Sequence, residues 1–227
     1  MELSDQVMAN HDIRVHPLAP VVAFDLDGTL GDYYAHFEWF ASLYTQRTVK
    51  AHFEPEMQGD YCRALGMEKE MYRDIKLAYR QGGMKRCMPV FRYSRALVSL
   101  VRTLGVQVWI CTTRPYLRLD NIDPDTRFWL DRNIGRVDGL LYGEEKYQDL
   151  VDIVGRDRVL AIYDDLPENI IDANKMDIPC IMRSGPQNAW FSDYDPSGIS
   201  WMETQHAELV YRNIRGLKEL WDVKKQG

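Results

Sequence analysis

The chain contains 227 residues, of which 45% are hydrophobic and 27% charged, and its formal net charge at pH 7 is −6. This composition excludes a disordered or fibrous protein, and the length allows a buried core with one inserted subdomain. The negative charge argues against long nucleic acid bound through overall electrostatics, which would need massed Lys and Arg. The sequence shows neither an apolar run long enough to cross a membrane nor a signal-peptide core near its start, so we expect a cytoplasmic protein without membrane contact.

Short β-branched runs alternate with helical patterns along most of the chain. Apolar runs that stop at a polar residue predict four strands, at residues 21–24, 106–111, 159–163 and 180–183. Helical periodicity and terminal glycines predict helices at residues 94–103, 146–154, 166–175 and 203–223. Strands that alternate with helices favour right-handed crossovers and a parallel sheet. The predicted fold class is therefore α/β, with a Rossmann-like three-layer core.

Between residues 32 and 88 the pattern changes. No β-branched run typical of a buried strand occurs there, and aromatic residues such as Tyr33, Phe37 and Trp39 recur at helical spacing. Pro89 indicates the return of the chain to the sheet. We predict a helical cap at residues 32–88, inserted after the first strand into a catalytic core formed by residues 1–31 and 89–227.

Three of the predicted strands end in polar residues that can carry chemistry. These polar sequences are Asp25-Leu26-Asp27, Thr112-Thr113-Arg114 and Asp164-Asp165. Because the carboxyl ends of parallel strands form the ligand-binding edge of an open sheet, we expect these side chains to converge. Carboxylates in one place repel one another unless a cation lies between them, and an oxygen-only ligand set suits magnesium. The sequence therefore predicts a Mg2+ site at this edge.

The first of these sequences supplies the two predicted catalytic groups. Asp25 is the predicted nucleophile, since a carboxylate at a strand end can form an aspartyl-phosphate intermediate. Asp27 is the predicted general acid and base, because a turn at Gly28 bends the chain back over the site. An ordinary Asp-Gly turn is the alternative interpretation of the same residues.

Donors must meet the negative charge of a transferring phosphoryl group. The candidates are the Thr112 hydroxyl, the adjacent Thr113 and the Lys146 ammonium, which opens the helix before the third predicted strand. Two interpretations stay open for Arg114, which either contacts the substrate phosphate or pairs with the acids. Lys146 also has an alternative interpretation, because a lysine beside two glutamates is often a solvated surface charge.

The haloacid dehalogenase-like phosphatase superfamily has four ordered motifs, and this sequence resembles them at Asp25-Leu26-Asp27-Gly28-Thr29-Leu30, Thr112, Lys146 and Asp164-Asp165. The resemblance implies a Rossmann-like core, an aspartyl-phosphate formed by Asp25, and acid and base catalysis by Asp27. It also implies that Thr112 and Lys146 bind phosphate. Magnesium would be held by Asp25, the Asp27 carbonyl and an acid of the fourth motif, with Asp165 the first choice and Asp164 a supporting ligand.

Two groups within the superfamily share further features with the sequence. The position of the insertion and the sequence Trp109-Ile110-Cys111-Thr112-Thr113-Arg114-Pro115 resemble the 5'(3')-deoxyribonucleotidases. That resemblance implies a nucleotide substrate, with Tyr33, Phe37 and Trp39 either closing on the nucleobase or packing in the cap core. Residues 125–129 and 163–166 instead resemble the phosphatase domain of bacteriophage polynucleotide kinases, which removes 3'-phosphates from nucleic-acid ends. The insertion here is longer than in that family.

The preferred prediction is a magnesium-dependent phosphomonoester hydrolase acting on deoxynucleoside monophosphates, and the first alternative is a 3'-phosphatase acting on nucleic-acid ends. A non-catalytic phosphate- or nucleotide-binding module is the alternative from another class. Asp27 argues against such a module, because binding alone needs no acid or base. A phosphotransferase such as a mutase also stays open. The expected partner is a small phosphorylated substrate, and a homodimer is compatible with the sequence.

Overall fold

The computed structural model describes residues 18–115, 119–192 and 199–226. Its six strands are Val21–Phe24 (β1), Gln107–Thr112 (β2), Gly139–Tyr142 (β3), Val159–Asp164 (β4), Cys180–Met182 (β5) and Trp201–Glu203 (β6). They form one sheet in the order β3-β2-β1-β4-β5-β6, and every neighbouring pair is parallel. Because β1 lies between β2 and β4, the chain that leaves β1 emerges at the middle of the sheet edge.

The helices fall into a group between β1 and β2 and a group that follows the later strands. The first group is Tyr33–Thr45 (α1), Tyr61–Ala64 (α2), Lys69–Gln81 (α3), Met84–Cys87 (α4) and Ser94–Thr103 (α5). The second is Ile122–Asn133 (α6), Lys146–Val154 (α7), Pro167–Lys175 (α8), Ala189–Ser192 (α9) and Ala207–Gln226 (α10). Single 3-10 turns occur at Pro55–Met57 and Arg156–Arg158. Within the described residues, none of the helices combines the length and the apolar character that crossing a membrane requires.

The sheet is the middle layer of three, as the sequence predicted. On one face, α5, α6 and α10 pack apolar residues such as Val101, Trp129 and Ile214 against the strands. On the other face, α7 and α8 do the same with residues such as Leu150 and Ile170. All residues of β1 are buried, which matches its unbroken apolar sequence, because a central strand has helices on both sides. The predicted α/β Rossmann-like fold is confirmed.

The predicted elements differ from the observed ones in two ways. The sequence analysis missed β3, β6, α6 and α9, and it extended the last helix back to residue 203. That boundary is wrong, because Trp201–Glu203 pairs with β5 and the helix begins at Ala207. A three-residue edge strand with half-exposed side chains carries too little apolar periodicity to be separated from a helix start.

Helices α1 to α4 enclose an apolar cluster of their own. Phe37, Ile75 and Tyr79 have no exposed surface and form its centre. The ring of Phe37 lies 5.4 Å from the ring of Tyr79 and 5.7 Å from that of Tyr33, measured between centroids. Aromatic rings in tilted and edge-on contact give this small cluster a large buried area for few residues. We refer below to residues 32–88 as the cap and to the sheet with its flanking helices as the core.

The sheet edge at β3 supplies a stability prediction. A Cβ atom on Gly139 would overlap the indole ring of Trp109, which is fully buried, so we expect Gly139→Ala to lower the free energy of unfolding by about 1–3 kcal/mol. Gly216 in α10 has open space around its Cα, and the matched variant Gly216→Ala should raise the same quantity by about 0.5–1 kcal/mol. Urea unfolding of both variants measures the difference. Equal effects would contradict the close contact at Gly139.

Candidate active site

Asp25 is placed at the centre of the sheet edge by β1. Its backbone N–H donates to the carbonyl of Tyr163 at 2.9 Å, which continues the ladder between β1 and β4. The neighbouring strands end at Thr112 on one side and Asp164 on the other. The side chain of Asp25 is only 4% exposed. The predicted convergence of the strand ends on one edge is therefore observed for these three residues.

Three buried carboxylates form a cluster at this edge. Asp25, Asp164 and Asp165 each offer an oxygen, and these oxygens lie within 4.8 Å of one another. The Lys146 ammonium lies between two of them, donating to Asp25 Oδ1 at 2.5 Å and to Asp164 Oδ2 at 2.8 Å. Lys146 has no exposed surface, so the interpretation of a solvated surface charge is wrong. Burial alone would lower the pKa of Lys146, but the two aspartates outweigh burial and raise it.

Asp164 is engaged by donors on both of its oxygens. Besides Lys146, the Tyr147 hydroxyl donates to Oδ2 at 2.6 Å and Asn169 Nδ2 donates to it at 3.0 Å. The backbone N–H of Leu166 donates to Oδ1 at 2.8 Å. Burial tends to raise the pKa of Asp164, but Lys146 and these hydrogen bonds lower it overall. This carboxylate therefore holds Lys146 in place and has little capacity left for a further ligand.

Asp165 has a different environment. Its Oδ1 accepts from the Thr29 hydroxyl at 3.1 Å, and its Oδ2 accepts from the Tyr34 hydroxyl at 2.9 Å and from Gln187 Nε2 at 3.1 Å. These donors are neutral, so they offset burial less than an ammonium does. Burial and the neighbouring Asp164 raise the pKa of Asp165 to about 7.

The pKa of Asp25 is likewise raised, first by burial and then by Asp164 and Asp165, although Lys146 opposes the shift. Raised pKa values on adjacent buried carboxyls are what mutual repulsion produces when positive charge is insufficient. A divalent cation that prefers oxygen ligands would relieve this repulsion, and the donor set of carboxylates alone suits such a cation. The residues therefore fit the predicted magnesium.

Asp27 lies apart from the cluster and is held by two cations. Arg114 binds it with both ends of the guanidinium, from Nε to Oδ2 at 3.1 Å and from Nη2 to Oδ1 at 2.6 Å. The Lys85 ammonium, from the cap, also donates to Oδ2. Burial alone would raise the pKa of Asp27, but Arg114 and Lys85 outweigh it and hold the pKa well below its usual range. The carboxylate of Asp27 is not a member of the metal cluster, so only its backbone carbonyl remains as the predicted ligand.

Arg114 was a predicted phosphate contact with pairing to the acids as the alternative. The structure shows the pairing, because the guanidinium binds Asp27 through Nε and Nη2 and donates from Nη1 to the Thr126 hydroxyl at 2.8 Å. Arg114 is 3% exposed, so its planar donors are fixed in this arrangement. Thr126 belongs to α6, an element that the sequence analysis did not predict.

Gly28 allows the turn that follows the two catalytic candidates. Its φ of +97° lies in the region that favours glycine, and its backbone N–H donates to the Gly31 carbonyl at 2.9 Å. A Cβ atom at this position would overlap the carboxylate of Asp165. A glycine is therefore required at position 28 for two reasons. The backbone has a positive φ there, and the Asp165 carboxylate leaves no room for a Cβ atom.

The other predicted site residues take different positions. Thr112 is buried at the end of β2, where its carbonyl accepts from Gly143 N–H at 3.0 Å, whereas Thr113 is exposed. Phe37 lies in the cap core, while Trp39 is 53% exposed and stacks on the ring of His36. Packing in the cap core, one of the two interpretations left open for these aromatics, is therefore what the structure shows for Phe37.

Tyr33 lies at the boundary of the cap, beneath Lys85, whose ammonium is 4.1 Å from the centre of the tyrosine ring. Lys85 and Tyr34 are the cap residues that the sequence analysis missed. Tyr34 follows a predicted candidate directly, but Lys85 stands in a short helix with no local signal that it faces an aspartate 58 residues away. Both reach core aspartates, Lys85 at Asp27 and Tyr34 at Asp165.

Comparison with protein-family models and with curated proteins gave no match. Solved structures do match. A haloacid dehalogenase-like family hydrolase from Streptococcus pneumoniae superposes with a TM-score of 0.54 at 14% identity, over 86% of this chain and 97% of that chain. A predicted phosphatase from Clostridium acetobutylicum gives 0.60 at 15% identity, over 87% and 98%. CbbY from Rhodobacter sphaeroides, in complex with phosphate, gives 0.51 at 13% identity, over 82% and 93%.

These similarities extend over almost the full length of each matched chain and over 82% to 87% of this chain. At such identities the shared property is the fold. The ordered motifs of the sequence implied the same fold independently, and the structure places Asp25, Lys146 and Asp165 together at the sheet edge. The chain therefore has the fold of the haloacid dehalogenase-like hydrolases.

Proposed function

We propose that the protein is a phosphomonoester hydrolase that acts through an aspartyl-phosphate on Asp25. The observation that carries the proposal is the position of Asp25 in a buried cluster with Lys146 and Asp165, with a second aspartate, Asp27, two residues later on a tight turn. A binding module would gain nothing from a buried carboxylate that repels phosphate. A nucleophilic enzyme does gain from such a carboxylate, because the attack on phosphorus uses its negative charge to form a covalent bond.

In the first step, an oxygen of Asp25 attacks the phosphorus atom and the bond to the leaving-group oxygen breaks. Lys146 stays hydrogen bonded beside Asp25 and balances the charge that accumulates on the phosphoryl oxygens. The leaving group takes a proton from Asp27. In the second step, water attacks the phosphorus atom, its proton passes to Asp27, and the bond between phosphorus and Asp25 breaks to release phosphate.

The lowered pKa of Asp27, which Arg114 and Lys85 produce against the effect of burial, favours the ionised form that accepts a proton from water. A phosphoryl dianion bound beside it would offset the charges of Arg114 and Lys85 and raise the proton affinity of the carboxyl. In the substrate complex the carboxyl takes up a proton from solvent and passes it to the leaving group, and the proton that it receives from water in the second step returns to solvent when phosphate leaves. The residue thus alternates between base and acid while Arg114 fixes the plane of its carboxylate.

Magnesium is the proposed cofactor, held by Asp25, Asp165 and the Asp27 carbonyl. When bound, it would neutralise phosphoryl oxygens and keep Asp25 ionised at neutral pH. The magnesium proposal is supported by the raised pKa values of Asp25 and Asp165. Among the described residues, no ammonium group hydrogen bonds to Asp165 to balance its charge.

The first test is phosphate release by the native chain and by Asp25→Asn. We expect release that requires Mg2+, stops in EDTA and falls on the order of 10³-fold or more in the variant, because the amide cannot form the phosphoenzyme. Acid-quenched samples incubated with 32P-labelled substrate should show labelled native protein and unlabelled variant. Equal activity of Asp25→Asn and native protein would refute the assignment of the nucleophile.

Magnesium binding should depend on pH. With a pKa of about 7 in the folded state and about 3.9 when unfolded, Asp165 contributes stability below about pH 4 that is lost as pH rises through 7. Above pH 7 the ionised carboxylate attracts Mg2+, so the rise in Tm on adding Mg2+ should be small at pH 5.5 and larger at pH 8. Asp165→Asn should abolish this rise. Asp152→Asn, at an exposed acid on α7, should retain it, and a rise that is unchanged in Asp165→Asn would exclude Asp165 as a ligand.

For substrate we propose a deoxynucleoside monophosphate, supported by the resemblance to nucleotidases and by Tyr33 at the boundary between cap and core. One observation favours the alternative, a 3'-phosphorylated nucleic-acid end. A cavity of about 190 Å³ beside Thr29 is lined by Phe91, Arg92, Tyr93 and Arg183. The Arg183 guanidinium lies 3.5 Å from the centre of the Phe91 ring. Arginines beside aromatic rings are typical of sites for single-stranded nucleic acid.

The two substrates are separated by one variant. If an oligonucleotide is the substrate, Arg183→Gln should raise KM for a 3'-phosphorylated oligonucleotide about 3- to 30-fold, because a phosphate contact is lost, and leave nucleoside monophosphates unaffected. Arg212→Gln on α10, whose arginine pairs with Glu208, is the matched control. A native enzyme that hydrolyses only the mononucleotides, with Arg183→Gln silent, would select the nucleotidase.

A further inference from the structure

Lys85 is a buried lysine on the cap whose partner lies on the core. Burial lowers the pKa of its ammonium to about 7, although Asp27 opposes the shift. Lys85 belongs to the four-residue helix α4, and it is 4% exposed. Its ammonium lies over the ring of Tyr33, donates to Asp27 Oδ2, and is 5.6 Å from the centre of the Tyr79 ring. The ammonium is therefore fixed by an ion pair on one side and by aromatic faces on the other.

Fold stability gives no reason for this placement. A buried ion pair loses the hydration of both charges, and its replacement by apolar residues of similar volume is often neutral or stabilising. The surroundings of Lys85 are aromatic, so an apolar side chain of the same length would pack there. The charge is instead explained by the group that it contacts, the Asp27 carboxylate.

The two oxygens of Asp27 are held from opposite sides of the boundary between cap and core. Arg114, on the core, binds Oδ1 and Oδ2, and Lys85, on the cap, binds Oδ2. The bidentate pair with Arg114 fixes the plane of the carboxylate but leaves Asp27 and Arg114 free to shift together. A third donor from a separate element removes that freedom. Asp27 therefore has one orientation when the cap lies on the core.

We propose that Lys85 is a positioning residue that orients Asp27 for proton transfer and does so only when the cap is closed on the core. The inference rests on the proposed function, since it concerns the acid and base of that reaction. Lys85 acts through Asp27 and does not need to touch the substrate. Cap closure then completes the catalytic site as well as covering it.

The test uses two substrates that differ in their need for a proton. An alkyl phosphate, such as a nucleoside monophosphate, requires protonation of its leaving group, whereas p-nitrophenyl phosphate releases a stable anion. Lys85→Met should lower kcat/KM about 10- to 100-fold for the alkyl ester and less than about threefold for the aryl ester. Lys69→Met, at an exposed cap lysine where α3 begins, is the matched control and should change neither.

A double-variant cycle separates positioning from a structural role. Asp27→Asn should show the same preference for the aryl ester, and adding Lys85→Met to it should cause no further loss, because the group that Lys85 orients is already gone. Losses that multiply, or an equal loss for both esters, would overturn the proposal. Thermal unfolding confirms that each variant is folded, and Lys85→Gln, which keeps a polar end group without the charge, replaces Lys85→Met if that variant does not fold.

The outcomes also separate this inference from the function on which it rests. If the native protein releases no phosphate from either ester, the proposed function fails and the role of Lys85 falls with it. If the native protein is active and Lys85→Met retains its kcat/KM for the alkyl ester, only the role of Lys85 is refuted. A loss confined to the alkyl ester, absent from the Asp27→Asn background, establishes it.

Discussion

The burial of carboxylates at one edge of a parallel sheet is the constraint on which the rest of the site depends. Asp25, Asp164 and Asp165 follow apolar strands that must lie inside the core, so the acids are carried away from water with them. A buried carboxylate is tolerated only when donors or cations replace its hydration. Lys146, which has no exposed surface, is the cation that replaces this hydration. It is held in turn by Asp164, whose position is fixed by its other hydrogen-bond donors.

The two acids of the fourth motif show how the same constraint gives neighbours different roles. Asp164 ends β4 and points to Lys146, Tyr147 and Asn169, which stabilise its charge. Asp165, one residue later, accepts hydrogen bonds from neutral groups only among the described residues, so its pKa rises. The choice of Asp165 over Asp164 as metal ligand came from a resemblance in the sequence analysis. Here it has a physical reason, because the acid that lacks a cation is the one that gains most from binding one.

The core of the site could be predicted from sequence because its residues follow strands directly. A run such as Val21–Phe24 identifies a buried strand by its composition, and the parallel arrangement then assigns Asp25, Thr112 and Asp164 to one edge. Contacts made across the fold leave no such signal. Arg114 was open between the substrate phosphate and the acids until the structure showed it paired with Asp27 and hydrogen bonded to Thr126 of α6. Neither the short strand β3 nor α6 was predicted. The sequence therefore indicates which groups are present at the edge, while tertiary contacts decide how they pair.

In the cap, the sequence predicts the apolar core but not the residues that contact the site. The cause is the small size of that apolar core. Tyr79 and Phe37 are buried in a cluster that helical periodicity indicates correctly, yet the residues that touch the site, Tyr34 and Lys85, lie at the edges of this cluster. The aromatic rings of the cap pack mainly against one another. The apolar pattern of the cap sequence therefore does not indicate which cap residues face the core. The positions of the polar cap side chains that face the core are set by their hydrogen bonds to the aspartates there. For this reason a lysine enclosed by tyrosine rings, which composition alone would place at the surface, is fixed by a partner 58 residues earlier in the chain.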